Sequence, residues 1–344
     1  MQRFLFVVSV QAFVLILSGK MAAQAPLSAP SSKSQKPASI WTPTRTPDGH
    51  PDLQGIWSNS TLTPLQRPEK LAGKEFFASK EDAVAFEKNT ITESDMDRVE
   101  GPRGEDDLAH RAYNQAWFDA GTHVVKTMRT SLVIDPRNGR IPPMTSEGKK
   151  KYVEARAYLE SHPFDGPEDR PLMERCVLFG NTGPPIVPDV YNNNYQIVQT
   201  RDYVMIQSEM AHAVRAVPMD GRPHLPKDVR AWQGDSRGHW EGDTLVIDTT
   251  NFEFNNQTRF GFAYDGLTDE NLRITERFTR TDADTMIYRA TIDDPTMYTK
   301  PWTVEVPMIK QPGPMYEYAC HEGNYAMTDV LSGARAEEAK TLSK

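Results

Sequence analysis

From residue 194 onward, apolar and polar residues alternate along the chain. Residues 195–200 (YQIVQT) and 203–207 (YVMIQ) are rich in aromatic and β-branched residues, with Arg201-Asp202 between them. Alternate side chains of a strand point to opposite faces, so this pattern predicts two half-buried strands joined by a tight turn. It recurs in residues 236–240 and 244–252 around Glu241-Gly242-Asp243, and in residues 271–280 and 285–293 around residues 281–284. Residues 299–308 and 315–320 read as two more strands. Consecutive hairpins make an antiparallel meander, and a meander of seven or more strands must close or pack to bury its face and edges. The expected fold is therefore mainly β. It is an antiparallel meander closed into a barrel or a strongly curved sheet, lipocalin-like, with N-terminal helices packed at an end.

Those helices lie in the first third. Ser79 is placed to cap a helix that runs through residues 83–88. Residues 106–120 read as a second helix, with Leu108, Tyr113, Trp117 and Phe118 as its apolar points and Gly121 as its stop. Residues 146–160 read as a third, and residues 129–135 as a strand that leads into an Asn138-Gly139 turn.

The N-terminus changes the setting. Arg3, the apolar run 4–17 and Ala23-Gln24-Ala25 follow the order of a secretory signal peptide. The run is shorter than the roughly 20 residues that span a bilayer, so residues 1–25 are expected to be a signal cleaved after Ala23 or Ala25. Residues 26–50, rich in Pro, Ser, Ala, Lys and Thr, read as a flexible leader, and residues 51–344 as a single β-rich domain. The expected location is periplasmic or extracellular, with no stable membrane anchor. The 39 Lys and Arg are outnumbered by 47 Asp and Glu, for a net charge of −8. An acidic chain without a basic run argues against nucleic acid as a partner. Cys176 and Cys320 are the only cysteines, and in an oxidising compartment they are expected to pair.

Candidate chemistry follows from strand parity. Counting through residues 203–217 as one strand places His212 on the face of Val204, Ile206, Met210 and Val214. Glu276 shares a face with Leu272, Ile274 and Phe278. An imidazole and a carboxyl inside an apolar interior have shifted proton affinities suited to acid–base work. The alternative is that each is a satisfied core group bonded to a neighbour, with Arg215 or Arg273 as candidate partners. His321 lies in the dense polar block 316–324, and Arg237 shares a strand face with His239 and Glu241. These two are assigned to orientation or oxyanion stabilisation. Tyr191, Asn194, Trp232, Trp240, Asn251, Trp302 and Tyr318 are the expected ligand contacts. Gly234-x-Ser236-x-Gly238 matches the nucleophile-elbow pattern but precedes a hairpin where that motif needs a helix. His321-Glu322 begins a zinc-protease motif that fails at Tyr325. No phosphate loop, dinucleotide fingerprint or C-x-x-C is present, so neither metal nor organic cofactor is expected.

Gly55-x-Trp57 is similar to the G-x-W signature on the first lipocalin strand. Blocks at 51–57, 191–200, 234–252, 300–308 and 316–327 resemble a large family of exported bacterial proteins. That resemblance implies export and a β-rich body, and it supplies no residue roles. The leading functional expectation is a cofactor-independent acid–base enzyme of isomerase, lyase, hydratase or cyclase type. It would act on a small, largely apolar molecule in a barrel pocket. A non-catalytic lipocalin-like carrier is the main alternative and a metal-dependent hydrolase the lesser one.

Overall fold

The computed structural model describes residues 41–95, 97, 115–254 and 268–343. The expected signal peptide, residues 26–40 of the leader and residues 106–114 of the second expected helix lie outside them. Trp41–Lys344 forms one compact unit. Residues 41–50, read above as leader, lie on the body. Arg45 pairs with Asp243 at 2.8 Å, and His50 stacks on Trp240 at 4.8 Å.

The described residues are mainly β. The strands are β1 (Gly55–Ser58), β2 (Val133–Asp135), β3 (Asn194–Gln199), β4 (Tyr203–Ser208), β5 (Val214–Pro218), β6 (Asp235–Glu241), β7 (Thr244–Thr250), β8 (Arg273–Arg280), β9 (Thr285–Asp293) and β10 (Trp302–Gln311). They form one antiparallel sheet in the order β5-β4-β3-β1-β10-β9-β8-β7-β6, with β2 added against β10. Two meanders, β3 to β5 and β6 to β10, are thus joined through β1, the strand that carries Gly55-x-Trp57. Trp57 is fully buried, its Nε1 donates to the Leu53 carbonyl at 2.9 Å, and the Arg280 guanidinium lies 5.5 Å from its ring.

The hydrogen-bonded ladder is open, with β5 and β6 as its two edges. The barrel closure expected from the meander is therefore not made by strand pairing. The sheet is nonetheless strongly curved. Five strands stand between β5 and β8, a distance of about 29 Å on a flat sheet. Yet Arg215 on β5 reaches Glu276 on β8 at 2.9 Å. The edges also meet through side chains. A Cβ on Gly238 of β6 would sit 2.4 Å from the Met219 sulfur and 3.0 Å from Val217. Side chains, among them Tyr195, Phe278, Tyr288 and Trp302, fill the concave interior.

Three α-helices lie among the described residues. The first, α1 (Lys80–Ser94), starts at Ser79, whose hydroxyl accepts from the Asp82 amide at 3.1 Å. It packs on its own small cluster of Leu62, Phe77, Ala83 and Val124. The second, α2 (Ser146–Ser161), is capped by Thr145. It approaches the β9–β10 connection so closely that a Cβ on Gly148 would lie 2.6 Å from the Met297 carbonyl. The third, α3 (Ala326–Leu342), has no buried residue. Of the expected helix 106–120, only Gln115–Trp117 is helical in the described part, as a single 3-10 turn. Residues 315–320 form no strand. Pro312 and Pro314, which lack an N–H, end the ladder just after β10.

Behind α2 lies a carboxyl pair. Lys151 donates to Asp269 at 2.8 Å, and the Asp269 amide donates to Asp294 at 3.2 Å. Burial first, and the neighbouring Asp269 charge second, raise Asp294 to about 6. An unfolded Asp ionises near pH 3.9, so between about pH 4 and 6 the folded chain holds a proton that the unfolded chain has lost. That stability is complete below about pH 4 and is lost as pH rises through 6, by about 3 kcal/mol. Asp269 is shifted the other way. Burial opposes its ionisation, but the Lys151 hydrogen bond and charge, the Asn271 amide and the Thr296 hydroxyl together outweigh it, so Asp269 acts only at the acid end. Urea unfolding of Asp294→Asn from pH 4.5 to 7.5 should therefore lack a downward slope that the wild type shows. Equal slopes in the two proteins would refute this assignment.

Candidate functional site

The face expected from strand parity breaks at residues 210–212. Met210–His212 is a 3-10 turn between β4 and β5, with Ala211 and His212 at φ 54° and 51°. Left-handed residues reset the alternation, so the face of Val204 and Ile206 continues at Arg215 and Val217. Val214 is exposed and Arg215 buried. His212 does not join the interior face. It stays half-buried, and its Nδ1 accepts from the Tyr318 amide at 2.9 Å.

Glu276 is inward and fully buried, as its parity predicts. It forms a bidentate pair with Arg215, and the Tyr288 hydroxyl donates to its Oε1 at 2.9 Å. Tyr288 in turn accepts from the Ile186 amide at 2.7 Å. Burial, with the Glu276 charge second, pushes the Tyr288 phenol well up. The geometry therefore fits the reading of Glu276 as a satisfied core group, with Arg215 as its partner. His212 and Glu276 have separate sets of partners and do not contact one another.

The other expected residues disperse. His321 is exposed on a turn just after Cys320. Arg237 pairs with Asp235 at 2.6 Å and donates to the Pro223 carbonyl. It belongs to a clasp that holds the 219–234 connection onto β6 and β7. His224 bridges Asp235 at 2.9 Å and Asp248 at 3.2 Å in the same clasp. Asn251 completes it by donating to the Leu225, Pro226 and Val229 carbonyls. Trp302 is core and meets Tyr298 edge-on, Trp240 stacks on His50, and Trp232 is half-buried. Ser236 is buried on β6, bonded to the Thr249 hydroxyl at 2.9 Å, and is not an exposed nucleophile. Among the described residues, no group of three or more His, Cys, Asp or Glu is placed to hold a metal ion. No helix among them is long and apolar enough to cross a membrane.

Tyr191, Asn194 and Tyr318 do come together. They line a cavity of about 510 Å³ at the end of β3 and β4, beside the 3-10 turn at residues 115–117. Its far wall is the segment after β10, which carries Tyr316, Glu317 and Tyr318. The Cys176–Cys320 disulfide fixes that segment to the body, with Phe179 edge-on to Tyr318 at 5.8 Å. Two carboxyls missed by the sequence reading, Asp119 and Glu209, also line the cavity. Glu209 is buried where β4 ends, and Asn194 donates to its Oε2 at 2.8 Å. Partial desolvation, then the Glu209 charge, raises the Asp119 carboxyl above its ordinary value. No lysine, arginine or histidine among the described residues lies within ion-pair distance of either carboxylate. Asp119 also borders a second cavity of about 450 Å³, where Ser60, Thr61 and Lys126 contribute polar groups.

No family model matches the chain, and neither a curated protein nor a solved structure does. The cavity must therefore be judged on its own chemistry. Its aromatic walls supply apolar contact area, and two of its three carboxyls, the raised Asp119 and the buried Glu209, supply groups that can give and take a proton.

Proposed function

We propose that the protein is an exported, cofactor-independent acid–base enzyme of isomerase or lyase type, and that its site is the cavity between Asp119 and Glu209. The observation that carries this reading is the pairing of a raised carboxyl with a second carboxyl, neither ion-paired among the described residues, in an aromatic-walled pocket. Environments that push two acids apart let one donate while the other accepts. Glu209 takes a proton from a ligand carbon, and the C–H electron pair moves into a new double bond. Asp119 gives its proton to the oxygen or leaving group that receives the displaced charge. The enzyme ends one proton up on Glu209 and one down on Asp119, and solvent restores both. The reading replaces His212 and Glu276 with Asp119 and Glu209 and keeps Tyr191, Asn194 and Tyr318 as ligand contacts.

Export, to the periplasm or the cell exterior, is supported by the N-terminal pattern of charge, apolar run and small residues, and by the disulfide. The likenesses to an exported bacterial family and, through Gly55-x-Trp57, to lipocalins remain part of this proposal. A lipocalin-like carrier is the second reading, favoured by the curvature that brings β5 opposite β8.

The test is a comparison of metabolite pools. A small-molecule extract is incubated with wild type, Asp119→Asn and Glu209→Gln, and followed by mass spectrometry. The enzyme reading expects at least one compound to fall and one of equal mass, or a pair summing to it, to rise with wild type. Each variant should slow that change at least a hundredfold, the scale of lost general acid–base catalysis. A compound that is bound but returned unaltered supports the carrier, and no change at all refutes the enzyme.

A further inference from the structure

The charge balance of the buried carboxyls singles out one of them. Five acidic residues are buried among those described: Glu209, Asp269, Glu276, Asp294 and Glu305. Glu276 has Arg215, Asp269 has Lys151, and Glu305 has Arg289 and, at 3.5 Å, Arg129. Asp294 accepts from two backbone amides, those of Asp269 and Met297. Glu209 has one side-chain amide, from Asn194, and no cation among the described residues. A buried carboxylate is costly unless a positive charge or several donors compensate it. Three of the other four obtain a cation from within the chain and Asp294 accepts two amide donors, whereas Glu209 has a single donor and faces a cavity.

The rest of the cavity repeats the same preference. Among the described residues its charged lining is Asp119, Glu209 and Glu317, all acidic, without a lysine, arginine or histidine. Five aromatic rings line it: Trp117, Phe118, Tyr191, Tyr316 and Tyr318. Phe118 and Tyr191 meet at 89°, so the pocket presents both a ring face and a ring edge. Ring faces attract cations through their quadrupole, most strongly where water is excluded, and quaternary ammonium groups are recognised by aromatic cages of this composition. A small anion would meet three carboxyls and no donor cation, and a neutral apolar molecule would leave the Glu209 charge uncompensated.

We infer that the ligand of this cavity is a small organic cation, a quaternary ammonium or protonated amine, seated against the aromatic walls with its charge on Glu209. This deepens the function proposed above and rests on the same cavity being the ligand site. The cation supplies what the fold omits, a positive charge beside a buried carboxylate.

Choline and 3,3-dimethylbutan-1-ol have nearly the same shape and differ by the charge, so they separate cation recognition from cavity filling. Both are titrated by calorimetry into the full mature chain at constant ionic strength, alongside Glu209→Gln and Trp117→Leu. Trp117 is 67% exposed, and the melting temperature of each variant shows that the fold is kept. The expected result is that choline binds at least tenfold more tightly than the neutral alcohol. Glu209→Gln should weaken choline at least tenfold and Trp117→Leu at least threefold, with the alcohol little changed by either. Equal binding of the two probes overturns the cation and leaves the cavity as a site for neutral molecules. Absence of choline binding also overturns it, and the turnover comparison with Asp119→Asn then decides the enzyme reading separately.

Discussion

Replacing Arg215 by Met should cost the protein about 3–5 kcal/mol, enough to unfold many single domains at ambient temperature. Arg215 is 5% exposed and Glu276 wholly buried, so deleting the guanidinium leaves a carboxylate in the core with only the Tyr288 hydroxyl as donor. The cost comes from that stranded charge more than from a lost attraction, because a buried pair gains little over apolar residues of the same volume. The double variant Arg215→Met/Glu276→Leu should therefore recover most of the loss. Urea unfolding of the wild type and the two variants reads this. A double variant no more stable than Arg215→Met would mean that the pair matters for the curvature itself. The two residues are the observed link between β5 and β8, so that outcome would place the pair among the determinants of sheet shape.

How much of this was legible in the sequence depends on how each residue is held. The three hairpins were readable because a strand's period of two survives along β3–β4, β6–β7 and β8–β9, each joined by a short turn. Glu276 was correctly placed inward for the same reason. The count failed in the stretch 203–217, where two left-handed residues turn the chain between β4 and β5. Neither Ala211 nor His212 announces that conformation, since glycine, Asn or Asp is the usual occupant. Arg215 was consequently placed off the interior face and appeared only as a candidate partner. The helix α3 was missed because it buries no residue and so shows no apolar stripe. Its run of Ala, Glu and Lys, all strong helix formers, was the available signal.

The cavity was half legible. Tyr191, Asn194 and Tyr318 stand in dense polar and aromatic blocks, which drew notice on composition alone. Asp119 and Glu209 stand in irregular chain between elements, where no period applies. They are brought together by tertiary contacts: the Asp119 amide donates to the Val190 carbonyl, and the Glu209 amide to that of Asn194. Sites assembled at the ends of strands from separate loops are common because the strands position the loops while leaving their side chains free to vary. Pairing in the sheet fixes where the cavity lies, and the connections decide its chemistry.

Loss of the disulfide should show how far that chemistry depends on one covalent tie. Cys176 and Cys320 are separated by 144 residues, so the bridge closes a very long loop. In the chain-entropy account, removing it restores about 5 kcal/mol of freedom to the unfolded state. Cys176→Ser/Cys320→Ser should then melt about 10 °C or more below wild type. The two measurements that matter are the melting temperature and the chymotrypsin sensitivity of the segment after β10. That segment has lesser ties: the Tyr318 amide to His212, the Phe179 ring, and Arg335 donating to the Phe164 carbonyl at 2.7 Å. Each is a single weak contact beside a covalent bond. Tyr316 and Tyr318 should therefore become cleavable in the variant well below its melting temperature, and choline binding should fall with them. Unchanged cleavage would mean that the lesser ties alone hold the wall. A fall in melting temperature without cleavage would assign the bridge wholly to the unfolded state. Cleavage together with lost binding would make the disulfide a requirement for the cavity's far wall, and the protein would then need an oxidising compartment to keep its site.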